Sequence, residues 1–76
     1  MKDKRALDEW AKRIVDEPDH YSTALFIGVG RYAKRVTHSL DAARTAGAEL
    51  LAENPGGFQR PMIYAVSAEG VSIHVE

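Results

Sequence analysis

The fold depends on the stretch STALFIGVGRYAKRV, which covers residues 22–36. Residues 22–29 are rich in β-branched and aromatic side chains, a composition that is typical of a strand. Gly28 and Gly30 supply the positive φ angles that a tight hairpin needs, and residues 31–38 can return as the second strand. The stretch therefore predicts an antiparallel β-hairpin.

The predicted pairing of this hairpin divides its side chains between two faces. Strand alternation places Phe26 on the outward face, close to Arg31 and Arg35. The buried face then receives Leu25, Ile27, Tyr32, Lys34, Val36 and His38. A lysine and a histidine are out of place among apolar side chains. Their position indicates that they lie at the margin of this face or that the register differs.

The same glycines allow a second interpretation. Residues 28–33, GVGRYA, fit the G-x-G-x-x-A pattern of a dinucleotide-binding loop, and residues 31–53 would then form one long helix. Residues 36–39 are unfavourable in a helix interior, and the chain after Gly30 is short for a Rossmann half. The hairpin is therefore favoured, and a nucleotide-phosphate site at Gly28 and Gly30 is the alternative.

Helical patterns flank the hairpin on both sides. Within residues 3–16, apolar side chains recur at three- and four-residue steps and form one helical stripe: Leu7, Trp10, Ala11, Ile14 and Val15. Pro18 ends this helix because the residue before a proline avoids the helical region. Ser39 is suited to cap a second helix, which the residues Asn54-Pro55-Gly56-Gly57 terminate.

A second hairpin follows, with predicted strands over residues 61–66 and 71–75 joined by the turn at residues 67–70. With that four-residue loop, one face carries Met62, Tyr64, Val66, Val71, Ile73 and Val75. The complete order is α-β-β-α-β-β in a single domain over residues 1–76. It predicts an α+β fold, a two-layer sandwich whose four-stranded, mostly antiparallel sheet has both helices on one face.

Composition narrows the class of protein. The 76 residues contain no cysteine, which excludes disulfides, thiolate zinc sites and cysteine nucleophiles. Residues 1–19 carry charges of both signs without a signal-peptide core, and no run approaches the ~20 apolar residues of a membrane span. The net charge of −1 argues against a globally basic nucleic-acid binder. We therefore expect a cytoplasmic protein of bacterial type without a membrane partner.

No set of side chains has the spacing of a catalytic, cofactor or metal site. His20, His38 and His74 lack the i, i+4 spacing of a helical metal site. None of the serines lies in a nucleophile elbow. We therefore expect that the protein is not an enzyme and that it uses no cofactor.

The candidate site is instead an interaction surface on the open face of the first hairpin, formed by Phe26, Arg31, Lys34 and Arg35. Ile63 and His74 can join this face from the second hairpin. Aromatic and arginine side chains are enriched at protein interfaces, and a core this small gains stability from a partner chain. We therefore expect a non-catalytic interaction domain that self-associates or binds another protein. An aromatic ring flanked by arginines also suits a nucleic acid, which is the alternative partner.

Two resemblances accompany these patterns. Residues 24–51, in which IGVGRY leads into SLDAAR, resemble the DNA-binding arm domains of phage integrases, with their small sheet, basic returning strand and following helix. The whole chain resembles the short conserved bacterial proteins that have no assigned activity. The second resemblance implies a compact domain that folds alone.

Overall fold

A computed structural model describes residues 4–56 and 60–76 of the chain. Its four strands form one antiparallel sheet in the spatial order β2-β1-β3-β4. The elements are α1 (Lys4–Asp16), β1 (His20–Gly28), β2 (Arg31–Thr37), α2 (Leu40–Glu53), β3 (Met62–Val66) and β4 (Ser72–His74). The predicted α+β class and the order α-β-β-α-β-β are confirmed. Asp3 and Gly57, which belong to the predicted helix start and the predicted terminator, lie outside the described residues.

Local sequence signals account for both ends of α2. The Ser39 hydroxyl accepts a hydrogen bond from the Ala42 backbone N–H at 3.0 Å, and Asp41 adds a negative charge to the first turn. At the other end, the Asn54 side-chain amide donates to the Leu50 carbonyl at 2.9 Å. These contacts satisfy backbone groups that a helix end otherwise leaves unbonded.

The core lies between α2 and one face of the sheet, called the inner face below. The α2 side that meets β1 carries small residues, and a Cβ atom at Gly47 would lie 3.1 Å from the Cβ of Pro61. Thr23 is fully buried, and its hydroxyl donates to the Ala43 carbonyl at 3.1 Å. The helix therefore approaches the sheet closely enough for a strand side chain to bond its backbone. The buried side chains around this contact include Leu25, Ala46, Leu50, Ile63 and Ala65.

The first helix is less completely covered. α1 contacts β3 and β4, and within the described residues its Cα atoms stay more than 8 Å from those of α2. Ile14 is buried, whereas Trp10, one turn earlier on the same stripe, is 48% exposed. The side chain of Leu7 lies outside the described residues. The stripe that the sequence predicts is thus only partly covered within one copy of the chain.

A β-bulge sets the register of the first hairpin. Gly28 pairs with Arg31 around the two-residue turn, but the next pair is Phe26 with Tyr32, so Ile27 is an extra residue in β1. One extra residue transfers every side chain of the partner strand to the other face of the sheet. The prediction that the buried face carries Tyr32, Lys34 and Val36 is therefore wrong.

The second hairpin also contains an extra residue. The Gly70 N–H donates to the Ser67 carbonyl and the Ser67 N–H to the Val71 carbonyl, both at 2.9 Å, and Gly70 has a φ of 89°. This is a three-residue loop that ends in a left-handed glycine bulge. The strands then pair Tyr64 with His74, Ala65 with Ile73 and Val66 with Ser72. The predicted common face of residues 62, 64 and 66 with residues 71, 73 and 75 is therefore wrong.

The alternative interpretation of the glycine pattern is also wrong in its structural part. Residues 31–37 form β2 and not the beginning of a helix, and α2 starts only at Leu40. Gly30, with a φ of 68°, belongs to the hairpin turn. The helix N-terminus that would hold a pyrophosphate is consequently not formed next to Gly28 and Gly30.

Candidate interaction surface

The face of the sheet opposite to α2, called the outer face below, is defined by the strand register. Directly paired residues of an antiparallel sheet point to the same face. The outer face therefore carries His20, Ser22, Ala24 and Phe26 of β1, Tyr32, Lys34 and Val36 of β2, Met62, Tyr64 and Val66 of β3, and Ser72 and His74 of β4.

Two ring pairs lie on the outer face. The rings of Phe26 and Tyr32 meet edge to face across the first hairpin, with centroids 5.5 Å apart and planes at 65°. The rings of Tyr64 and His74 are tilted by 49° at a centroid distance of 5.4 Å. Such offset or edge-to-face contacts are the preferred arrangements of aromatic pairs. Both hairpins thus present an ordered aromatic pair to the same side of the molecule.

A shallow depression of about 330 Å³ lies between the two ring pairs. The small residues Ser22 and Ala24 of the central strand β1 lie between Tyr32 on one side and Tyr64 on the other. Lys34 contributes to the same lining. The depression can accept a flat apolar side chain with a negatively charged group beside it.

The outer face is exposed and has little charge. Tyr32 is 50% exposed and Val36 is 63% exposed. Lys34 is the only Lys, Arg, Asp or Glu among the twelve outer-face residues. Within the part of the chain that the structure describes, no carboxylate comes within 4 Å of its ammonium group. The face therefore combines apolar area with one uncompensated positive charge.

The four residues of the predicted interaction surface are divided between the two faces of the sheet. Phe26 and Lys34 lie on the outer face, and Arg31 lies at the hairpin end, opposite Gly28. Arg35 lies on the inner face, where its guanidinium is 2.6 Å from Glu53 and 3.7 Å from Glu49. The hydrogen bond and the charge of Glu53 raise the pKa of Arg35 above its ordinary value.

The residues expected to join from the second hairpin are divided in the same way. His74 lies on the outer face beside Tyr64, whereas Ile63 is buried on the inner face opposite Thr23. Tyr32 and Val36 belong to the outer face, although the sequence pattern assigned them to the buried face, and Tyr64 lies on the outer face with them. Lys34 and His38 among the predicted buried residues were the sequence signals that pointed to a different register.

A second groove, of about 640 Å³, follows the edge of α2. At its rim the Arg44 guanidinium makes a two-point contact with the Glu76 carboxylate, in which the Nε–Oε1 distance is 3.0 Å and Nη2 bonds Oε2. Asp41 lies 3.5 Å from the same guanidinium. The hydrogen bond from Arg44 lowers the pKa of Glu76, and the bond to Glu76 raises the pKa of Arg44. The positive charge of Arg44 at this rim is thus compensated by two neighbouring carboxylates.

Other polar groups are paired as surface contacts. The His20 Nδ1 atom lies 2.9 Å from a carboxylate oxygen of its neighbour Asp19. Among the described residues there is no group of three or more histidine, aspartate or glutamate side chains that could hold a metal ion. No helix in residues 4–56 and 60–76 is long and apolar enough to cross a membrane.

Comparisons of this chain with protein-family models, with curated proteins and with solved structures find no match. The resemblances noted in the sequence therefore stay predictions, and function has to be argued from the outer face itself.

Proposed function

We propose that this protein is a non-catalytic interaction domain that self-associates through the outer face of its sheet. The observation that carries this proposal is an exposed face with two aromatic pairs, apolar side chains and a single charged residue. A sheet face with these properties is ordinarily covered in a folded domain. Here α2 covers only the inner face.

The total surface of the chain supports the same proposal. The chain exposes 5544 Å², whereas a compact monomer of 8.4 kDa exposes about 4600 Å². Its radius of gyration is 13.9 Å, compared with about 11 Å for a compact domain of this length. Both values indicate an elongated molecule with more exposed area than a compact monomer of this size.

Charge favours a protein partner over a nucleic acid. Nucleic-acid affinity depends on several lysine or arginine contacts to phosphates. Arg35 is engaged with Glu53 on the other side of the sheet, which leaves Lys34 as the only lysine or arginine of the outer face. Two tyrosines and a valine next to one lysine are instead typical of the central part of a protein interface.

Sedimentation velocity over a range of protein concentrations tests this proposal. We expect the wild type to pass from monomer to dimer, and we expect Val36→Lys to weaken the dimer by at least about tenfold because it places a second positive charge beside Lys34. Val29→Lys is the matched control, because Val29 is 96% exposed at the hairpin turn and lies off the outer face.

Circular dichroism and thermal unfolding establish that both variants are folded. A wild type that stays monomeric up to about 1 mM, which corresponds to roughly −4 kcal/mol of association free energy, would contradict the proposal. Equal dimerisation of V36K and V29K would show that the outer face is not the interface.

A further inference from the structure

α1 has an apolar edge that its own copy of the chain does not cover. Its described contacts are with β3 and β4, where Ile14 is buried. Trp10 is nearly half exposed beside the turn at residues 67–69. Tryptophan is enriched among the residues that dominate binding at the centres of interfaces. The chain thus leaves one helix edge and one sheet face without complete cover.

The charges of these two surfaces are complementary. The outer face carries Lys34 and no carboxylate, whereas the exposed side chains of residues 8–17 include four carboxylates, those of Asp8, Glu9, Asp16 and Glu17, against the two basic groups of Lys12 and Arg13. The Glu17 N–H still bonds the Arg13 carbonyl at 2.9 Å, so helical geometry continues to Glu17. Glu17 is seven residues after Trp10, so its direction around the helix axis differs from that of Trp10 by only about 20°. Along the axis, Glu17 lies about 10 Å beyond Trp10. Trp10 and Glu17 also line the same groove.

The dimensions of the two surfaces agree as well. α1 has 13 residues and is therefore about 20 Å long. Four strands at about 4.8 Å spacing give a sheet about 14 Å wide. One helix can thus cross all strands of the outer face. Its tryptophan would then enter the depression between Tyr32 and Tyr64, with a carboxylate available for the lysine beside it.

We propose that the outer face binds α1 of a second copy of this chain, with Trp10 in the depression and Glu17 paired with Lys34 of the partner copy. This inference rests on the proposed function and names the segment that the outer face receives. Because each copy offers one helix and one face, a two-fold axis satisfies both contacts and closes the assembly as a dimer. The sheet then has a helix on each face, which is a stable layer arrangement.

A charge exchange between copies tests this contact. Lys34→Glu alone places two carboxylates at each contact, and Glu17→Lys alone places two ammonium groups there. We expect either variant to dimerise about tenfold more weakly than the wild type. In an equimolar mixture of the two variants, both contacts of the mixed dimer join opposite charges. Glu17 of the K34E chain meets Lys34 of the E17K chain, and the lysine introduced at position 17 meets the glutamate introduced at position 34. We therefore expect mixing to restore dimerisation to within about threefold of the wild type. The double variant K34E/E17K also joins a glutamate to a lysine at both contacts, and we expect it to dimerise within about threefold of the wild type.

Trp10 provides an independent readout because it is the only tryptophan of the chain. Its emission should shift to shorter wavelength, and its quenching by acrylamide should decrease, as the wild type dimerises. Val36→Lys should abolish both changes at the same concentrations. A dimer that forms without any change at Trp10, or a double variant K34E/E17K that stays as weak as the single variants, would overturn the α1 contact and leave face-to-face packing of two sheets. A wild type without a dimer would overturn the proposed function itself.

Discussion

Phe26 and Tyr32 pack edge to face across the first hairpin, with ring centroids 5.5 Å apart, because Ile27 is an extra residue in β1. Without the bulge, Tyr32 would lie across from Ile27 on the inner face. The bulge therefore does more than bend the hairpin. It moves tyrosine, lysine and valine side chains of β2 to the outer face and directs Arg35 towards α2.

The glycines that adopt a positive φ in the two hairpin turns should be required for stability. Gly30 and Gly70 have φ angles of 68° and 89°, and at neither glycine would an added Cβ atom have a neighbouring atom within 4 Å. We expect Gly30→Ala and Gly70→Ala each to lower the free energy of unfolding by about 1 kcal/mol, because a Cβ atom is disfavoured in the left-handed region.

Gly56→Ala is the matched control for the two turn glycines. Gly56 has equal space around it and no positive φ. Alanine there should leave stability unchanged or raise it slightly, because it restricts the unfolded chain. Urea unfolding of the three variants provides the comparison. Equal losses for all three would mean that backbone conformation is not the cause.

The close approach of α2 to the sheet predicts that Gly47→Ala destabilises the protein. A Cβ atom would lie 3.1 Å from the Cβ and 3.3 Å from the Cγ of Pro61, and the proline ring cannot rotate away. Overpacking costs about 1–3 kcal/mol, which exceeds the ~1 kcal/mol that alanine gains over glycine in a helix.

Ala48→Gly measures that helix propensity at the next, exposed position of α2. We expect A48G to lose about 1 kcal/mol. If G47A proved more stable than the wild type by the same amount, the helix would not be held against Pro61 as the structure shows. Thermal unfolding followed by circular dichroism is sufficient for both variants.

The buried hydroxyl of Thr23 should contribute a measurable hydrogen bond. Thr23→Val keeps the shape of the side chain and removes the donor to the Ala43 carbonyl. We expect a loss of about 1 kcal/mol in the free energy of unfolding, because the hydroxyl is fully buried and its acceptor keeps only its helical bond. Urea unfolding that shows no loss for Thr23→Val would contradict a bonded hydroxyl at this position.

The contact between Arg44 and Glu76 predicts a pH dependence with a definite sign. The hydrogen bond from Arg44 lowers the pKa of Glu76 in the folded state, so folding favours the carboxylate. This contribution is present above the pKa of the unfolded glutamate and is lost as the pH falls through the lower pKa of the folded state. We expect wild type and Glu76→Gln to differ most near neutral pH and to converge in acid.

Urea unfolding of both proteins between about pH 7 and pH 3 measures this convergence. Arg44→Gln serves as the control, because it should return the pKa of Glu76 to its ordinary range in an NMR titration. A stability difference between wild type and E76Q that stays constant over the whole range would contradict the assigned sign.

Much of the local structure can be predicted from particular residues. Pro18 indicates the end of α1, Ser39 and Asp41 the start of α2, and the glycines at residues 28 and 30 the first hairpin. Each of these signals acts within a few residues through backbone geometry or a cap, so it is readable without knowledge of the remaining chain. The position of Phe26 on the side away from α2 also follows from the alternation of β1, because Thr23 and Leu25 occupy the core.

Which residues belong to the candidate surface could not be predicted from such local signals. Each hairpin has one residue more than a regular ladder, and each bulge exchanges the two faces of the following strand. The bulge at Ile27 places Arg35 where it forms ion pairs with two glutamates of α2, which are far from it in the chain. The sequence of the hairpin alone does not reveal these ion pairs.

The sequence by itself thus determined the six elements, their order and the positions of the turns, because propensities, caps and glycine conformations are local properties. The tertiary structure alone decided which side chains share the outer face. Strand register is a choice between two pairings of similar local energy, and the elements that pack against the sheet decide it. Here α2 packs against Thr23 and Leu25 on the inner face, whereas Tyr32 and Lys34 lie on the open outer face.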